Sequence, residues 1–197
     1  MKKAFAFIFL LSLATWAYPA DFKIMSGLSL SKSTDIYPGG LAIYSWRAQY
    51  GAGFAAGGGI EFSLAKSLAL EIDALFIQKG TRVRFQESGD PPVYWMERIN
   101  ELSIPVLVKV LLRPGTSPYI LGGGEFALVL TDGPKSIDYG LVGGIGFKKQ
   151  LDKFGVSLEA RYHHGLQDLR PNSVIFPAIS TLSRKMRVFV FMIGFSI

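Results

Sequence analysis

Residues 185–197 read KMRVFVFMIGFSI, and every second position from Phe189 through Phe191, Ile193 and Phe195 to Ile197 is apolar. In an extended strand alternate side chains point to opposite faces, so this stretch offers one continuous greasy stripe. A soluble sheet rarely leaves such a stripe on an uncovered edge, whereas a barrel embedded in lipid needs one on every strand. The soluble competitor is a secreted β-sandwich, which predicts release into the periplasmic fraction without detergent.

Seven earlier segments repeat the pattern. They cover 22–32, 54–65, 68–76, 101–110, 118–130, 138–149 and 154–164, with a final strand from Lys185. In the fourth, Leu102, Ile104, Val106, Val108 and Val110 oppose Glu101, Ser103 and Lys109. In the seventh, Val156, Leu158, Ala160 and Tyr162 oppose Ser157, Glu159, Arg161 and His163. The fifth is apolar on both faces, so its register stays open. Pro105 cannot donate to a ladder, and a bulge is expected there.

The connections, led by long loops at 33–53 and 80–99, run long, short, long, short, moderate, short, long. Outer-membrane barrels have an even strand number, short periplasmic turns and long extracellular loops. The expected fold is therefore all-β: an eight-stranded antiparallel transmembrane β-barrel, monomeric, with both termini in the periplasm.

Composition agrees. The chain is 49% hydrophobic, yet no later run approaches the roughly 18 apolar residues of a spanning helix. Met1, Lys2 and Lys3 precede an apolar stretch and small residues at Ala14, Ala17 and Ala20, the order of a secretory signal. Residues 1–20 are read as a removed signal peptide, with cleavage after Ala17 as the alternative, and 21–197 as the barrel domain. The formal charge is +6, and about +4 remains once Lys2 and Lys3 are removed. That excess suits anionic lipid, and export takes the chain away from nucleic acid. With no cysteine, disulfides, thiolate metal sites and a cysteine nucleophile are excluded.

A basic residue on the lipid face near the midplane costs about 2–4 kcal/mol. Periodicity accordingly assigns Glu71, Asp73, Lys109, Lys148, Glu159 and Arg161 to the interior, where their nearly balanced signs permit ion pairing. A barrel of about eight strands is filled by its own side chains. The charged interior thus reads as a structural plug.

Several motifs carry the family resemblance. They are Leu68-Ala69-Leu70-Glu71 ending at Gln78-Lys79-Gly80, then 101–109 (ELSIPVLVK), then Pro118-Tyr119, then Glu159-Ala160-Arg161-Tyr162 followed by Gly165-Leu166 and Asp168-Leu169. The chain resembles the PorT-like, or "porin family", outer-membrane β-barrel proteins of Bacteroidetes. It departs from them at the terminus, where Ile197 replaces an aromatic residue. The resemblance implies the fold and the outer membrane of a Gram-negative bacterium. It also implies a secretion-system or surface protein as partner, while a shared fold confers no activity.

Candidate chemistry is sparse. His163 and His164, the only histidines, precede Asp168 and the loop serine Ser173, which suggests a rim lipid hydrolase with a base, an orienter and a nucleophile. Their spacing is undefined, and the plainer reading puts His163 in the internal network and His164 at the interface. Gly57-Gly58-Gly59 lacks the lysine and hydroxyl of a phosphate loop. Asp132 and Asp138 do not make a calcium cage. No cofactor or metal is expected.

Arg82, Arg84 and Arg187 continue outward-facing positions at the extracellular ends, where arginine forks match lipopolysaccharide phosphates. Simple snorkelling is the alternative. Tyr37, Tyr50, Tyr94 and Trp95 read as an interfacial belt, and Tyr44 and Trp46 as loop recognition residues. The C-terminal strand is expected to engage the barrel-assembly machinery. The overall reading is a non-enzymatic structural, adhesion or assembly component, with a narrow small-solute pore and the rim hydrolase as alternatives.

Overall fold

The computed structural model describes residues 20–35, 44–87, 89–113, 117–131, 137–151, 154–167 and 184–197. Residues 1–19, Tyr37, Asp132, Asp168 and Ser173 lie outside the described residues. Eight strands follow in order: β1 (Ala20–Asp35), β2 (Tyr44–Ala65), β3 (Leu68–Glu87), β4 (Val93–Leu111), β5 (Ser117–Val129), β6 (Ile137–Leu151), β7 (Phe154–Gly165) and β8 (Arg184–Ser196). Each pairs with its chain neighbour, and β8 closes on β1 to complete the barrel. The closing seam runs from Lys23↔Ser196 to Asp35↔Arg184. Ile197 extends it by exchanging backbone hydrogen bonds with Phe22 at 2.9 and 3.0 Å.

Closure explains the period-two pattern. Ile24, Leu28, Ile145, Leu158, Phe191, Phe195 and Ile197 point outward, with Ile24 74% exposed. Their chain neighbours point into a lumen that is packed rather than open. In β5 the register is set by pairing: Tyr119, Leu121, Glu125 and Ala127 are inward, while Ile120, Phe126 and Leu128 face out. Gly123 lies where a Cβ would run into the carbonyl oxygen of Val106, so that strand approach requires glycine.

Two expectations are corrected. Pro105 makes no bulge. Pairing with β3 skips Ile104 and Pro105, then resumes at the same offset, from Ile72↔Val106 to Leu75↔Ser103. The register shifts fall in β2 instead, between Gly51 and Ala55 and between Ser63 and Ala65.

The stretches expected as long loops at 33–53 and 80–99 are largely strand. β2, β3 and β4 have 22, 20 and 19 residues, against the about 9–11 that cross a bilayer. β1–β2 pairing stops at Ser31↔Gly51, whereas β2–β3 continues to Tyr44↔Glu87 and β3–β4 to Phe85↔Val93. A three-stranded extension therefore rises beyond the barrel at the end away from the termini. Its outward residues are mixed, because outside hydrocarbon a strand needs partners for its backbone but no greasy stripe.

Candidate functional site

The inward positions of β1 to β7 carry the polar groups, and they form two clusters. The larger lies toward the termini and centres on Arg161. Its guanidinium donates to Asp73 Oδ2 at 2.6 Å, Glu71 Oε1 at 2.6 Å and Glu159 Oε2 at 2.5 Å from Nη2 and 2.7 Å from Nε. Lys109 donates to Glu61 at 2.6 Å and to Glu71 at 2.7 Å. Lys23 bridges Glu71 at 2.5 Å and Glu159 at 3.1 Å.

Tyr119 donates its hydroxyl to Glu159 at 2.7 Å and presents its ring to the Lys109 ammonium at 4.2 Å. Gly146 leaves space for that ring, which would collide with a Cβ there. At the rim, Lys148 reaches Asp21 at 2.9 Å and Glu61 at 3.3 Å.

Glu71, Asp73, Lys109, Lys148, Glu159 and Arg161 are thus brought into one network. Sequence reasoning did not include Lys23, Glu61 and Tyr119. Lys23 and Glu61 carried the needed signal, since each alternates with apolar neighbours, but Tyr119 sits on the strand whose register was open. Fully buried charges are tolerated only when each keeps its partners, and the sharing of Glu61, Glu71 and Glu159 between cations meets that requirement, while Asp73 has Arg161 alone and an Oδ1 without a hydrogen-bond partner.

The second cluster lies toward the opposite end. Lys79 pairs with Glu101 and reaches Asp138 at 3.4 Å. His163 shares Glu125 Oε2 with the Ser103 hydroxyl, each at 2.8 Å. Here Glu101 Oε1, Asp138 Oδ1 and His163 Nε2 have no hydrogen-bond partner. Of these, His163 was assigned to the interior in advance and Glu101 was read opposite the apolar face of its strand, whereas Lys79 fell where strand was expected to give way to loop, Glu125 lay on the strand of open register, and Asp138 was weighed only as a calcium ligand.

Among the described side chains, β8 contributes no charge to the lumen. Its inward Met186, Val188, Val190 and Met192 pack with Met25, Ala55, Leu75 and Ile77 as an apolar wall.

This geometry opposes acid–base catalysis at His163. The side chain is 1% exposed, its carboxylate partner is Glu125, and no hydroxyl lies within hydrogen-bonding distance of Nε2 among the described residues. His164 faces outward, 3.4 Å from the Tyr162 hydroxyl. No cluster of three or more metal-type ligands occurs among the described residues.

The three arginines do not converge. Arg187 is on β8, while Arg82 and Arg84 are on the β3 extension, with β1 and β2 between. The Arg82 guanidinium lies over the Tyr94 ring at 4.6 Å, and Arg84 donates to Gln86 at 2.6 Å. Tyr44 and Trp46 occupy the end of β2 in register with Glu87 and Phe85, so they sit on a strand and not in a loop.

A family model described as outer membrane protein beta-barrel domain matches residues 20–170. No curated protein matches the chain. Among solved structures, the outer membrane protein OprG from Pseudomonas aeruginosa is 15% identical, with 91% of this chain and 95% of that one covered and a TM-score of 0.52. The outer membrane protein AlkL, determined in DMPC lipid bilayers, is 13% identical, with coverage of 91% and 90% and a TM-score of 0.47. The OprG likeness is one of fold.

Proposed function

The chain belongs to the outer membrane protein beta-barrel domain family, and from that premise we propose that it is a closed, non-enzymatic scaffold that presents its β2–β3–β4 extension outside the cell. The termini and short turns then face the periplasm, as the rhythm of its connections suggests. The observation that carries the reading is the buried network joining β1 to β7 across the lumen through Arg161, Lys109 and Lys23. Opening a water path there would require separating several shared ion pairs at once, which is costly in a low-dielectric interior.

The proposed role is structural, adhesive or secretion-accessory. Tyr44 and Trp46 serve as recognition residues toward a surface or secretion-system protein, and β8 is the strand offered to the barrel-assembly machinery. The narrower kinship with PorT-like barrels of Bacteroidetes and the monomeric state belong to the same proposal.

Planar-bilayer recordings test closure, and the purified protein is expected to give no stable conductance step. Steady single-channel openings would reinstate the narrow pore. A photo-crosslinker at Trp46 in intact cells tests recognition: a discrete protein adduct is expected, and labelling of lipid alone would remove the adhesion and assembly roles.

A further inference from the structure

We propose that the outward faces of β7, β8 and β1 form a binding site for phosphorylated lipid, with lipid A of the outer leaflet as its occupant. This rests on the orientation given above, which puts the end away from the termini at the cell surface. Three basic side chains stand in one row across these strands, since His164 pairs in register with Arg187 and Arg187 with Lys32. Neither Arg187 nor Lys32 has a carboxylate partner among the described residues, and no acidic residue occupies an outward position of β7, β8 or β1 in the hydrocarbon band or at this row. Lys32 is steered by the Tyr50 ring, 5.9 Å from its ammonium. An arginine fork beside a lysine matches the oxygens of a phosphate.

The next row toward the membrane centre is Tyr162, Phe189 and Leu30. Phe189 packs between Tyr162 at 4.9 Å and Tyr50 at 6.2 Å, which gives the basic row a rigid aromatic floor. Below it the surface dips. Ala160 is flanked in register by Ile145 and Phe191, and Phe191 by Leu28, so one small side chain stands among three large ones. An open groove of about 710 Å³ runs there, lined also by Phe147, Leu158 and Ile193. A basic row one aromatic row above an acyl-sized apolar groove is the arrangement that a phosphorylated lipid would fill with head and chain together. Snorkelling of basic side chains accounts for the row but not for the groove beneath it.

Retention of lipids by the purified full chain in detergent, read by native mass spectrometry, tests the site. Bis-phosphorylated lipid A is expected to stay bound, and a Lys32→Gln, Arg187→Gln double variant to lose about tenfold in retention through the missing charge-assisted bonds. Ala160→Phe, which fills the groove and leaves every charge in place, is expected to lose about threefold. Arg113→Gln, at the opposite end of the barrel, should retain lipid A as the unaltered protein does. Dephosphorylated lipid A should bind like the double variant, and inorganic phosphate should not displace the lipid.

Wild-type retention by the double variant would overturn the proposal. So would equal retention of phosphatidylglycerol with no response to Ala160→Phe, which is the signature of snorkelling alone. Each variant is first checked for the heat-dependent gel shift of a folded barrel. A wild-type chain that dissolves in buffer without detergent would defeat the barrel reading itself, a result separate from any change in lipid retention.

Discussion

The two polar clusters of the lumen are built from the same residue types on the same inward register, yet they differ in how completely they are paired. Toward the termini, Glu71 is shared by Lys23, Lys109 and Arg161, and Glu159 by Lys23, Arg161 and Tyr119. At the opposite end, Glu101, Glu125 and Asp138 have only Lys79 and the His163 imidazole as basic partners among the described residues, and Glu101 Oε1, Asp138 Oδ1 and His163 Nε2 go unsatisfied. A buried ion network stabilises only when its members are satisfied, and an incomplete one is a weak point. In the proposed closed scaffold the first cluster is the plug, while the second is the less completely paired part of the interior.

That contrast can be broken by mutation. Arg161→Met is the severest test, because three buried carboxylates lose their common partner. A loss of about 3–5 kcal/mol is expected, read as a fall in the urea midpoint for the gel shift, with partial recovery in Arg161→Lys. His163→Gln removes the imidazole hydrogen-bond partner of Glu125 and leaves Ser103, so a loss of about 1–2 kcal/mol is expected in the same assay. Glu101→Gln sharpens the comparison most finely. Neutralising one of three carboxylates around a single lysine should cost less than about 1 kcal/mol. A Glu101→Gln effect as large as that of Arg161→Met would show that both ends are equally committed to holding the barrel shut.

Much of the barrel was readable in advance because lipid imposes a strict rule at every second residue. The greasy stripes of β4, β7 and β8 located those strands and assigned Lys109, Glu159 and Arg161 to the inside. The rule fails where hydrocarbon ends. From Tyr44 to Tyr50 and from Arg82 to Glu87, aromatic and charged residues replace the purely apolar stripe, so these stretches resembled loops although they pair with each other as strands. In β5 both faces are apolar, and Tyr119 could not be assigned to either. Pro105 misled for a different reason: its missing donor interrupts one ladder locally, and the flanking pairs hold the offset without an inserted residue.

From the sequence alone came the class of solvent this chain must face on each side of each strand, since alternating polarity is a local property that needs no partner to be read. Only the tertiary structure decided which charges meet, which end of the lumen is fully paired, and that His164, Arg187 and Lys32 share one row above a groove. Those facts depend on strand register around a closed sheet. Register is a relation between segments far apart in the chain, and it is set by how the whole ring closes.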